Sequence, residues 1–199
     1  MTTREIVQVG DPVLRQRARA LTSAEIQSSE IRTLIDDMRD TMRAAPGVGL
    51  AAPQIGVSLQ LVVIEDPAEY HKGFTPAQLA ERERTPTPYH VLINPRLAMY
   101  GDEVVEQFEG CLSFSTFNMV VPRARKVRVE ALDEHGAPVS REATGWYARI
   151  LQHEVDHLHG IVCCDRMYPR TLTTTPNYTK HWSGKSIPDV RRVVGEPPG

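Results

Sequence analysis

His153 and His157 stand four residues apart in L-Q-H-E-V-D-H-L-H-G at 151–160, and on a helix that spacing puts both imidazoles on one face. Glu154 beside them completes H-E-x-x-H, a pattern in which two histidines share a cation and the glutamate flanks it. The segment must therefore be helical, and its apolar flanks suit the wall of a buried site. Ile150, Leu151, Val155 and Leu158 recur at helical spacing and Gly160 supplies a stop, so a helix is predicted from Trp146 to Leu158.

Two histidines make an incomplete site, and two cysteines compete to finish it. Cys163 holds the place at which metzincin proteases, with H-E-x-x-H-x-x-G-x-x-H, carry a third ligand. Cys111 lies far away, in F-E-G-C-L-S at 108–113, where Gly110 lets the chain come close to a metal. His159 is on the wrong side of the helix. On the residues alone both cysteines stay open, beside the plain alternative of solvated histidines and cysteines that fill the core.

G-V-G-L-A-A at 47–52 has the letters of a dinucleotide-binding loop, but that fingerprint follows a strand and opens a helix. Here it follows a helical run and meets Pro53, so the dinucleotide reading is set aside. An exposed glycine-rich strand suits pairing with an extended peptide. The side-chain amide of Gln54, just beyond, can donate to a developing oxyanion.

Elsewhere, T-S-A-E at 22–25 has the form of a capping box. Ile31, Leu34, Ile35, Met38 and Met42 follow at helical spacing until Pro46-Gly47, which predicts one amphipathic helix over about 23–45. Residues 59–64 and 91–93 read as buried strands. Val127, Val129 and Ala131 alternate with Arg128 and Glu130 as in a half-exposed antiparallel strand, and D-E-H-G at 133–136 supplies a turn. Residues 66–90, with four prolines, read as a surface insertion, and the tail after Met167 as a loose wrap. Strands and helices do not alternate, so the expected class is α+β with mainly antiparallel sheets.

Composition removes other classes. With 199 residues, a net charge of −2 and a pI near 6.4, the chain has no basic stripe for nucleic acid or an anionic membrane. No apolar run approaches the ~20 residues of a membrane span. The start, M-T-T-R-E-I-V-Q-V-G, lacks the core of a signal peptide. Three cysteines, two of them adjacent, are no disulfide framework, and a cytoplasmic location is expected.

Three stretches taken together carry a resemblance: G-V-G-L-A-A-P-Q at 47–54, E-G-C-L-S at 109–113 and Q-H-E-V-D-H at 152–157. In this order they resemble the peptide deformylases, with G-D-P-V-L-R at 10–15 also fitting and the likeness covering about residues 5–168. The 66–90 segment and G-W-Y-A-R-I at 145–150 are most similar to the organellar and actinobacterial branch. The resemblance implies a catalytic domain over 1–168, a C-terminal extension over 169–199, and antiparallel sheets packed around a central metal-binding helix that carries H-E-x-x-H.

It further implies that Cys111, His153 and His157 bind one divalent metal ion, Fe2+ in the cell, with Zn2+, Ni2+ or Co2+ able to replace it, and a fourth position for water. Glu154 would move the proton, while Gln54 and the Leu112 N–H stabilise the oxyanion. Gly49 and Gly110 would pair with the substrate backbone, and Val48, Trp146 and Ile150 would hold the methionine side chain. The partners implied are N-formylmethionyl nascent peptides, with transient ribosome association. A zinc endopeptidase using Cys163, a non-catalytic peptide- or ribosome-binding relative, and a specialised or drug-resistant deformylase are the alternatives.

Overall fold

A computed structural model describes residues 2–195; Met1 and residues 196–199, the last of the expected extension, lie outside the described residues. In chain order the elements are α1 (Ser23–Ile26), α2 (Ser29–Ala44), β1 (Gly49–Ala51), β2 (Leu61–Asp66), α3 (Pro76–Glu81) and β3 (Thr87–Met99). They continue with β4 (Val104–Cys111), β5 (Phe114–Ala124), β6 (Lys126–Leu132), β7 (Pro138–Thr144), α4 (Gly145–Leu158), β8 (Thr173–Thr174), α5 (Thr175–Asn177) and α6 (Ile187–Val194). One sheet runs β1-β2-β3-β6-β7 and a second β4-β5-β8, and every named strand pair is antiparallel. No helix is long and apolar enough to cross a membrane among the described residues.

The continuous apolar runs in β2 and β3 follow from burial on both faces of the larger sheet. Val62, Ile64 and Leu92 pack with Ala148, Ile150, Leu151 and Leu158 of α4. Leu61, Val63, Val91 and Ile93 pack with Ile31, Ile35, Met38 and Met42 of α2 on the other side. β6, in contrast, alternates buried and exposed residues as expected. Asp133 accepts from the N–H groups of His135 and Ala137 at 2.9 and 2.8 Å and so shapes the turn into β7.

Three expectations need correction. The 23–45 helix is two helices, because a second cap interrupts it. Ser28 is extended (φ −74°, ψ 155°) and its hydroxyl accepts from the Ile31 N–H, in addition to the capping box at Thr22 and Glu25. The 66–90 segment is docked rather than a free surface insertion, and from Thr87 it is already β3. The Arg84 guanidinium grips the fully buried Asp66 carboxylate with bonds of 2.8 and 2.7 Å and sits 5.0 Å from the ring centroids of Phe74 and Trp146. The tail is built as well: Tyr178, Trp182, Ile187, Val190 and Val194 pack on Phe108 and Val120 of the smaller sheet. Its apolar residues are too widely spaced among Thr, Pro and charges to register as a pattern.

Gly160 ends α4 with φ +74°, and a Cβ added there would stand 2.7 Å from the Arg15 carbonyl oxygen. Both the backbone conformation and the close approach demand glycine. Gly160→Ala is expected to lower unfolding free energy by about 1–3 kcal/mol, measured by urea titration.

Candidate metal centre

Two elements meet at the site. α4 presents His153 and His157 from one face, their ring centroids 5.0 Å apart. β4 brings Cys111, which follows a register irregularity against β5: Gly110 faces Asn118, but Cys111 faces Phe114. Such irregularities re-aim side chains. One ligand atom from each of Cys111, His153 and His157 lies within 4.8 Å of the others, and Cys111 Sγ is 3.3 Å from His157 Nε2. Among the described residues Cys163 does not join this group; it is buried among Met119, Val121 and Cys111. His159 is exposed just past the end of α4, apart from the cluster.

A buried charge network orients the ligands. His153 Nδ1 donates to Glu109 Oε2 at 3.1 Å, which turns its Nε2 toward the cluster. Glu109 also accepts from Arg123 Nε and Nη2, both at 3.0 Å, and from Arg149 Nη1 at 2.6 Å. Arg123 reaches on to Asp156, which Arg166 holds with bonds of 2.6 and 2.7 Å. Burial pushes the Glu109 carboxyl up, but the His153 hydrogen bond and the Arg123 charge outweigh it and hold the group far below the usual carboxylate range. Burial likewise works to lower His153, yet its bond to Glu109 and the nearby Glu154 charge lift it to about 9. His157, with no such partner, is driven well below its ordinary value by burial, which keeps its nitrogen lone pair free.

Glu154 lies beside the ligands without joining them. Burial pushes its carboxyl up to about 7. Gly49 makes room for it, since a Cβ there would stand 2.3 Å from Glu154 Oε1. Gln54 is fixed at the other side: its Oε1 accepts from the Ala51 N–H at 2.8 Å, so Nε2 points to Ser113 Oγ (3.3 Å) and Cys111 Sγ (3.7 Å). The donor side of that amide therefore faces the site.

A cavity of about 420 Å³ opens over the cluster. Val48, Gly49, Gln54, Gly110, Leu112, Trp146, Ile150 and Glu154 line it together with Cys111 and His153, while His157 lies beneath and Cys163 and His159 are not in its wall. The residues fit a divalent ion. A thiolate with two imidazoles is a donor set for iron or zinc, and the buried Glu154 Oε2 beside them has no protein partner.

The family model for polypeptide deformylase matches residues 3–172. The chain belongs to that family. It is 44% identical over 173 residues to peptide deformylase 1A, chloroplastic, of Solanum lycopersicum, covering 87% of this chain and 62% of that protein. Peptide deformylase 3 of Streptomyces avermitilis is 45% identical over 179 residues, covering 89% and 77%. The Met-Ala-Ser-bound class I type b deformylase of Acinetobacter baumannii superposes with a TM-score of 0.74 at 30% identity, over 83% of this chain and 99% of that one. The chain spans less than two thirds of the first plant relatives, at 62% and 64% of their length.

Sequence reading missed the supporting charges. Arg149 precedes His153 by one helical turn on the face that also carries Gln152 and Asp156, and Glu109 opens E-G-C-L-S; both were signals of a buried network. Glu109→Gln leaves Arg123 and Arg149 buried without their shared counter-charge. It is expected to cost about 3–5 kcal/mol of stability, read by urea unfolding.

Proposed function

We propose that this chain is a metal-dependent deformylase that removes the N-formyl group from formylmethionine at the start of nascent polypeptides. The products are formate and a free amino terminus. The convergence of Cys111, His153 and His157 with Glu154 and Gln54 under one cavity carries this reading.

Cys111, His153 and His157 would hold one divalent ion, which when bound polarises the formyl carbonyl and lets water ionise near neutral pH. Fe2+ is the ion the family resemblance favours, and Zn2+, Ni2+ and Co2+ suit the same donors. Glu109 orients His153, and α4 serves as the metal-binding helix.

Glu154 accepts the proton of the attacking water and delivers it to the departing amine nitrogen. A carboxyl raised toward 7 both accepts and donates near working pH. As charge gathers on the formyl oxygen, Gln54 Nε2 and the Leu112 N–H donate to it. β1 is an edge strand, so Gly49 has a free side on which a peptide backbone can pair, with Gly110 across the cavity. Val48, Trp146 and Ile150 receive the methionine side chain. Residues 1–168 form the catalytic unit and 169–199 an extension. A cytoplasmic setting beside translating ribosomes suits this substrate and the three free cysteines.

The endopeptidase alternative needs Cys163 as third ligand, and Cys163 lies outside the ligand group. Cys111→Ala is expected to lose metal while Cys163→Ala keeps it, read by metal analysis; the reverse result favours the protease. Anaerobically purified, iron-loaded protein is expected to release formate from formyl-Met-Ala-Ser. No turnover with iron, nickel or cobalt favours the binding-only alternative. Glu154→Ala is expected to retain metal and lose about 10²–10⁴ in kcat. Equal loss of metal and activity in that variant removes Glu154 from proton transfer.

A further inference from the structure

The stretch matched by the family model ends at residue 172, and Thr175, just beyond it, stands in the wall of the cavity above the ligand group. It arrives there through the tail. β8 pairs with β5, Thr174 opposite Phe117 and Thr173 opposite Asn118, and Thr175 then opens α5. The segment is held from behind. Tyr178 packs edge-on against Phe108 with centroids 4.9 Å apart, Val190 is fully buried, and Arg191 donates to Glu106 at 3.0 Å.

Thr175 meets one residue of special position. Asn118 is paired directly across β4–β5 from Gly110, next to Cys111. Asn118 Nδ2 donates to Thr175 Oγ1 at 2.9 Å, while its Oδ1 lies 3.4 Å from where a Cβ on Gly110 would stand. The donor end of the amide is thereby committed to the tail, and the acceptor end faces the strip over Gly110. A side-chain carbonyl in that place accepts a backbone N–H from a peptide lying there. Without Thr175 the amide is free to turn, because the terminal torsion of asparagine is broad and two-fold.

We propose that Thr175, supplied by the tail, is a positioning residue that sets Asn118 as hydrogen-bond acceptor for the substrate backbone beyond the methionine. The proposal rests on the deformylase reading and deepens it. The tail becomes part of how the site holds residues downstream of the formylated one.

Steady-state kinetics on formyl-Met-Ala-Ser and on formylmethionine amide test it, together with calorimetric titration of the peptide Met-Ala-Ser. Thr175→Ala should raise KM for the tripeptide about three- to ten-fold, with kcat held and the single-residue substrate unchanged. Thr175→Ser should restore the wild-type value. Asn118→Ala should give the same shift, and the double variant no more than either alone. Wild-type kinetics in Thr175→Ala, or equal shifts on both substrates, overturn the proposal. If the wild-type protein releases no formate at all, the deformylase reading is the one that fails. The titration then decides the positioning role: weakened Met-Ala-Ser binding in Thr175→Ala supports it, and unchanged affinity overturns it.

Discussion

Glu109 carries a negative charge into the interior between β4 and α4 and shares it among three partners: His153, Arg123 and Arg149. An isolated carboxylate in so dry a place would take up a proton instead. Here two buried carboxylates, Glu109 and Asp156, meet two buried guanidiniums, Arg123 and Arg149, so the charges balance inside the fold. The same contacts tie β4 and β5 to α4. Cys111 and the two histidines come from the elements so joined, and the network that holds the structure also aims the ligands.

The larger sheet is covered on both faces, by α2 and by α4, and this double burial sets where α4 stands against β1. Ridged against α4, β1 comes so near that only glycine fits beside Glu154. The carboxyl is thereby shut away from solvent, and its raised pKa follows from that burial. Gln54 is oriented by a backbone N–H from the same short strand. One stretch of eight residues, 47–54, therefore supplies the strand edge, the room beside Glu154 and the oriented amide of Gln54.

Around this centre lie two additions docked by different means. The 66–90 segment docks through Arg84, which pairs with buried Asp66 and covers Trp146. The tail docks through dispersed apolar side chains that follow Thr175 and hold it in the cavity wall. Both reach the site from outside the three marker stretches, one against the wall at Trp146 and the other against Asn118.

Local pattern determined a good deal. The four-residue spacing of His153 and His157, the apolar face of 146–158, the capping box at Thr22 and the alternation in β6 are short-range properties that neighbours in sequence enforce. Glycine positions such as Gly49 and Gly160 were visible as letters, though not the atoms they make room for. The second cap at Ser28, the docking of 66–90 and the ordering of the tail were not legible, because each depends on one hydrogen bond, one ion pair or a few widely spaced contacts. The choice between Cys111 and Cys163 likewise remained open on spacing alone. Tertiary structure decided it geometrically: pairing of β4 with β5 and packing of that hairpin on α4 bring a thiol 42 residues before His153 to the imidazoles, since side-chain convergence is a property of packed elements and no local rule encodes it.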